Sequence, residues 1–287
     1  NVIYEQMAEH KSQFFIYASN LYIKDASKYL KYDGKAVVEV KGYVPITSIG
    51  RAPGGGGSIY EDVNMLTEIR KNSFCADGES TEYHLDTETF DSDYDIKVYV
   101  DDKLLENGYT ANSNNGTVTF VTAPNKPGTD GADNVIIEFR KTIEGYRSRI
   151  EKCTLLEVFD NRVFFSGNPE YPNKLWHCSL DNPEYCSALD YYDEGIDDAK
   201  IKALVSGNNA LWVMKEPSQT NTTIFYHNPI SDEEYGKVYP STHSSISTGC
   251  VATGINFNDD IVFLSERGLE GISGDITTEQ VVAHRST

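Results

Sequence analysis

Two histidines occupy comparable places in two aromatic runs, His177 in LWHCSL and His227 in IFYHNP. If those runs are strands of neighbouring repeats, the imidazoles approach one rim, and a pair that titrates near neutral pH could move protons there. Hydrogen-bonded structural histidines are the favoured reading, because His10, His84, His177, His227, His243 and His284 never fall in a metal-ligand spacing. The acidic run DYYDEGIDD, Asp190 to Asp198, is the other tempting site. Oxygen-rich loops bind calcium and Gly195 permits a sharp turn, yet Asp190, Asp193 and Glu194 do not follow the alternate-position pattern of an EF-hand loop. A solvated connection between strands explains the run as well. The glycines Gly54 to Gly57 lack the lysine and serine that a phosphate-cradling loop needs, so they read as a hinge or linker. No nucleophile elbow, dinucleotide loop or helix-borne metal pair is present. The expectation is a protein with no catalytic, cofactor-binding or metal-binding residues, and no cofactor.

Composition narrows the partners. Forty-four acidic against 25 basic residues leave a formal charge of −19, which repels polyphosphate and argues against a broad grip on nucleic acid. An acidic channel lining would still let DNA slide past. No apolar stretch reaches bilayer-spanning length, and residue 1 does not begin a signal peptide. Cys75, Cys153, Cys178, Cys186 and Cys250 are odd in number and form no Cys-x-x-Cys pair, which favours buried thiols in a reducing compartment over a zinc site or disulfide framework. That usage also counts against a secretory route for the glycosylation acceptor Asn221-Thr222-Thr223. Trp176, Trp212 and the tyrosines would suit a sugar platform, but acids are too abundant for any carboxylate pair to stand out as glycosidic.

The elements that must position these residues are strands. Nineteen tyrosines and 12 phenylalanines favour β structure; the best helix candidate, Val2 to Gln13, has no clear apolar face. From Phe14 to Val40, apolar clusters alternate with turn residues, and Asp33-Gly34 predicts a type I′ hairpin. The pattern returns in TLLEVFDNRVFFSGNPEYPNKLWHCSL, IKALVSGNNALWVMKEPSQTNTTIFYHNP and VATGINFNDDIVFLSERGLEGISG, where FDNRVFFSG, SGNNALWVMKE and FNDDIVFLSERG each set a two-residue polar turn before a strand. Asn168-Pro169-Glu170-Tyr171 and Asn182-Pro183-Glu184-Tyr185 punctuate the second unit twice with one turn. The unit is a meander of four strands with a period of about 40 to 50 residues, the spacing of propeller blades. Residues 70–143 differ. Ile96, Val98 and Val100, then Val118 and Phe120, then Val135, Ile137 and Phe139 alternate with mostly polar neighbours, and Asp101-Asp102, Asn107-Gly108 and Asn115-Gly116 supply turns.

The expected fold is therefore all-β: a propeller-like repeat of four-stranded antiparallel sheets with an inserted small antiparallel β-sandwich. Residues 1–53 form the first part of the repeat domain, 54–69 a Gly-rich linker, 70–143 the insert and 144–287 the remainder. DNRVFFSGNPEYPNKLWHCSLDNPEY, with NNALWVMKEPSQTNTTIFYH and GINFNDDIVFLSERGLEGISG, resembles bacteriophage virion proteins of the β-propeller type, whose nearest functional relatives are packaged-DNA stabilisation or tail-hub proteins. The stretch SFCADGESTEYHLDT to GTVTFVTAP is similar to a β module common in phage structural proteins. The resemblance implies a non-enzymatic virion or prophage component of the head-to-tail or tail region, assembled in the host bacterial cytoplasm. It implies contacts with other virion proteins, passive contact with DNA in a channel and oligomerisation in the particle, with no membrane partner. A glycan-binding or glycan-cleaving propeller for host attachment and a bacterial propeller unrelated to phage are the alternatives. Four repeats are few for a closed ring, which leaves an incomplete ring or a smaller one open.

Overall fold

The computed structural model describes residues 4–196, 198–220, 222–233, 236–273 and 282–285. It is all-β, 47% strand and 2% helix, built of several small sheets, none closed on itself. The chain divides into two compact units: Asn1–Val40, Ser148–Cys186 and Asp190–Thr287 form one, Lys41–Arg147 and Ser187–Leu189 the other.

The first unit opens with a meander of β1 (Gln13–Tyr17), β2 (Asn20–Lys24), β3 (Tyr29–Tyr32) and β4 (Val37–Glu39), paired in that order. The described part of the expected helix, from Tyr4 to Ser12, is not helical. With no apolar stripe to bury, it makes contacts along its length instead; the Ala8 amide donates to Asp25 Oδ2 at 2.8 Å.

The second unit follows. Its strands are β5 (Ile46–Arg51), β6 (Ser58–Ile59), β7 (Ile69–Phe74), β8 (Glu82–His84), β9 (Lys97–Val100), β10 (Lys103–Leu105), β11 (Tyr109–Asn112), β12 (Thr117–Phe120) and β13 (Val135–Arg140). They form a six-stranded sheet, β10-β9-β13-β7-β5-β6, and a three-stranded sheet, β11-β12-β8. Phe74, Val98, Ile137 and Phe139 of the first share one buried cluster with Tyr83, Val118 and Phe120 of the second. The expected alternation holds at Val135, Ile137 and Phe139, all fully buried. Within residues 70–143 every strand pair is antiparallel, as expected; the larger sheet gains a parallel pair from outside that range, β5 on β7. One expectation fails here. Residues 54–69 are not a linker between domains: the glycines close the β5–β6 hairpin, where Arg51 Nη1 donates to the Gly56 carbonyl at 2.7 Å and its Nη2 to the His84 and Leu85 carbonyls at 2.9 and 3.0 Å. Those bonds fix the loop, and the boundary lies at Val40.

After the short helix α1 (Tyr146–Glu151) come the second sheet, β14 (Leu155–Phe159), β15 (Arg162–Ser166), β16 (Lys174–His177) and β17 (Tyr191–Asp193), and the third, β18 (Ile201–Gly207), β19 (Ala210–Lys215) and β20 (Ile224–His227). The hairpin β21 (Ile230–Asp232) and β22 (Gly236–Val238) precedes β23 (Ser241–His243), the fourth strand of the third sheet. The fourth sheet is β24 (Cys250–Phe257), β25 (Asp260–Ser265), β26 (Gly268–Ser273) and β27 (Val282–Arg285).

Each four-stranded sheet begins with the same hairpin. Ala18-Ser19, Asp160-Asn161, Asn208-Asn209 and Asn258-Asp259 all have positive φ at both turn residues, the requirement of a type I′ turn. Asp33-Gly34 is different: only Gly34 has positive φ, and Asp33 Oδ1 accepts from the Lys35 and Ala36 amides at 2.8 and 2.9 Å, closing a four-residue loop. The two Asn-Pro-Glu-Tyr copies share one geometry. In each, the asparagine Oδ1 accepts the glutamate amide, at 2.9 Å in the first and 3.1 Å in the second, and the tyrosine amide returns to the asparagine carbonyl. The first copy caps α1, Asn168 Nδ2 donating to Arg149 O at 2.9 Å. The second docks on the first sheet, where Tyr29 Oη donates to Pro183 O at 3.1 Å and Lys31 pairs with Glu184 at 2.7 Å.

Successive sheets pack through their first strands, β1 on β14, β14 on β18 and β18 on β24. Side chains satisfy backbone groups along these lines. Gln13 donates to Leu156 O at 3.3 Å and accepts its amide at 2.7 Å. Glu157 Oε1 accepts the Ser206 amide and hydroxyl at 3.2 and 2.5 Å, and Asn256 Nδ2 donates to Ser206 O at 3.0 Å. Unpaired strand edges are thereby satisfied without joining the sheets into one ladder.

Candidate functional site

The strongest constellation of chemistry-bearing side chains lies in the first unit, buried except for Ser241. Glu194, one residue past β17, lies between His227 at the end of β20 and Ser241 at the start of β23. Its Oε1 is 2.7 Å from His227 Nε2, and its Oε2 accepts from Ser241 Oγ at 2.6 Å. Lys215 Nζ donates to the Glu194 carbonyl at 2.6 Å. The Glu194, His227 and Lys215 residues are fully buried. Because the Tyr239 carbonyl accepts from His227 Nδ1 at 2.9 Å, that nitrogen carries a proton.

These residue types suggest nucleophilic catalysis, but the order is wrong. A serine nucleophile needs the imidazole beside its hydroxyl, with the carboxylate behind the imidazole. Here the carboxylate stands between the two, so the imidazole does not reach Ser241 Oγ, which donates to Glu194 instead. The arrangement ties three strand ends together through a largely buried hydrogen-bond network.

His177 and His227 do reach a common neighbour, as their matching strand positions suggested. The Tyr192 ring lies 5.6 Å from the His177 ring and 4.6 Å from that of His227. They meet through the tyrosine rather than through a hydrogen bond. Burial pulls the His177 pKa down to about 4, with Arg162 and His227 acting in the same direction against the bond to the Cys178 carbonyl. At neutral pH it is an uncharged core residue.

The other sequence candidates are dispersed. Asp193 pairs with Lys174 at 2.7 Å while Glu194 points inward, so the acidic run does not present its carboxylates to one point. Asp197 lies outside the described residues, as does the acceptor Asn221. Among the described residues no three His, Cys, Asp or Glu side chains gather where a metal could sit. Trp176 and Trp212 are each 1% exposed; Trp176 meets Tyr171 edge-on and Trp212 Nε1 donates to Gly207 O at 3.1 Å. A sugar platform on these tryptophans is therefore excluded. The cysteine expectation is corrected in part: Cys178 and Cys186 form a disulfide across the second Asn-Pro turn, a short-range closure that their eight-residue separation did not reveal. Cys153 and Cys250 are buried thiols, and burial pushes Cys153 up to about 12, so it is inert.

Sequence reasoning missed a groove of about 520 Å³ along the packed first strands, lined by His10, Lys11, Glu157, Lys202, Thr253 and Ile255 among others. Burial raises the pKa of Glu157, and its hydrogen bonds to Ser206 oppose this; it acts as a clip between sheets. Its only sequence signal is a carboxylate inside the apolar run LLEVF.

Compared with family models and with curated proteins, the chain matches none.

Proposed function

We propose that this chain is a non-enzymatic structural protein of a bacteriophage particle, a sector of a β-propeller carrying a β-sandwich insert and making protein contacts near the DNA channel. The observation that carries the non-enzymatic part is the Glu194 network: Glu194 and His227 are fully buried and hydrogen-bonded to each other, and the carboxylate stands between the imidazole and Ser241, so the imidazole does not reach the hydroxyl. Four meanders in sequence order, each opened by the same type I′ hairpin and packed through its first strand, support the propeller arrangement. Two sheets sharing one buried cluster support the sandwich. The phage assignment rests on the motifs quoted from the sequence.

Mass spectrometry of purified particles, followed by a single-particle map of the neck and tail, tests the proposal. The chain is expected among the neck or tail proteins, and its absence from both would overturn the reading. Glycan arrays and reducing-sugar assays are expected to stay blank.

A further inference from the structure

The groove of about 520 Å³ in the first unit is walled by residues of β14, β18, β24 and the segment leading into β1. Its charges run against the rest of the chain. Lys11 and Lys202 both line it, together with the His10 imidazole, and among the described residues neither lysine has a carboxylate partner. Elsewhere in the same unit Lys31, Lys152, Lys174 and Lys237 each hold one, at Glu184, Glu170, Asp193 and Asp160. Acidic residues outnumber basic ones 44 to 25, so two lysines left unneutralised in one groove reverse the sign locally. Glu157 is the carboxylate of the lining, and it is engaged by Ser206, whose amide and hydroxyl it accepts at 3.2 and 2.5 Å.

The strands are shaped around this space. Among the described pairings of the first unit, register shifts at two places. In β18, Ile201 faces Lys215 and Ala203 faces Met214, so Lys202 is the extra residue of a bulge. In β24, Cys250 faces Ser265 and Gly254 faces Phe263, which sets Val251, Ala252 and Thr253 against Leu264 alone. Gly254 then lies tight on the core, since a Cβ there would come within 2.8 Å of Met214 Sδ. Lys202, Ala252 and Thr253 all line the groove. Bulges re-aim side chains and are over-represented next to active sites. Both of these open onto one space.

We infer that the groove is a binding site for a small phosphate-bearing anion, held by Lys202 and Lys11. Its volume lies within the range of about 300–1,000 Å³ that small-ligand pockets occupy. An ammonium group binds phosphate as a compact point charge, whereas planar carboxylates are matched best by the guanidinium fork, and the lining contains no arginine. The formal charge of −19 repels a polyanion at long range. A mono- or dianion inside the groove instead feels mainly the lysines, because distant charges are screened beyond about 8–10 Å. The site needs no catalytic step and stands apart from the assignment to a phage particle.

Isothermal titration calorimetry of the full chain tests it, with inorganic phosphate, adenosine monophosphate, succinate and adenosine as probes. A phosphate probe is expected to bind one site per chain with a dissociation constant of about 1 mM or tighter, and to bind more weakly as salt rises. Tighter binding of the nucleotide than of inorganic phosphate would identify the ligand as a phosphate ester, and equal binding as free phosphate. Lys202→Gln and Lys11→Gln should each weaken binding by about tenfold or more, while Lys103→Gln on β10 leaves it unchanged. Because Lys11 is exposed, its variant should melt with wild type, which separates loss of binding from loss of fold. Failure of both phosphate probes to saturate would overturn the inference. So would succinate or adenosine binding as tightly as adenosine monophosphate, or unchanged affinity in either lysine variant.

Discussion

The third and fourth sheets show how position in the array, more than composition, sets burial. Their second strands, ALWVMK and DIVFLS, follow the same turn in the same register. Every residue of β19 is buried, because sheets pack on both of its faces, whereas β25 alternates, burying Ile261 and Phe263 while Leu264 stays exposed. The same apolar composition is thus fully buried in β19 and only half buried in β25.

The largest expected effect that sharpens this contrast is at the covered sheet. Trp212→Ala removes a side chain buried between the third and fourth sheets and should cost about 3–5 kcal/mol in urea unfolding. A loss below roughly 1 kcal/mol would break the comparison.

A titrating probe comes next. His177 lies opposite Phe164, on the face of the second sheet that the third covers. Its pKa falls from 6.5 to about 4 on folding, so between those values the unfolded chain binds more protons. The stability it carries is intact above about pH 6.5 and is lost as pH falls toward 4, by about 3 kcal/mol. Wild type should lose about that much more than His177→Phe between pH 7 and pH 4, measured as urea midpoints. Equal losses would mean that the imidazole is hydrated.

The turns offer a smaller contrast. Asn208 adopts φ 53° in the third sheet, and Ala18 adopts φ 45° in the first. Asparagine tolerates this region and alanine does not. Ala18→Asn should therefore stabilise the protein by up to about 1 kcal/mol, read as a higher melting temperature. The smallest effect belongs to an exposed position: Leu269→Ala, half exposed on β26, should change the stability of the isolated chain by less than about 0.5 kcal/mol. A large loss there would show that Leu269 is packed and not half exposed.

Much of the strand pattern was readable because its signals are local. Asp160-Asn161, Asn208-Asn209 and Asn258-Asp259 carry residues that favour positive φ, and Val135, Ile137 and Phe139 follow period two. Ala18-Ser19 gave no such signal, since neither residue prefers that conformation. The parallel pairing of β5 with β7 was illegible because a parallel partner leaves no turn between the two strands. Of the site, His177 and His227 were legible as histidines in comparable strand positions, and both lie against Tyr192, while Glu194 was hidden in a run of acids that looked solvated.

The sequence by itself determined the meanders, their turns and the two-faced strands, because those depend on φ preferences and on neighbours a few residues apart. Only the tertiary structure decided that Glu194 meets His227 across 33 positions and that both tryptophans lie inside. The physical reason is that burial and charge pairing depend on which sheet comes to rest against which, and no local preference encodes that.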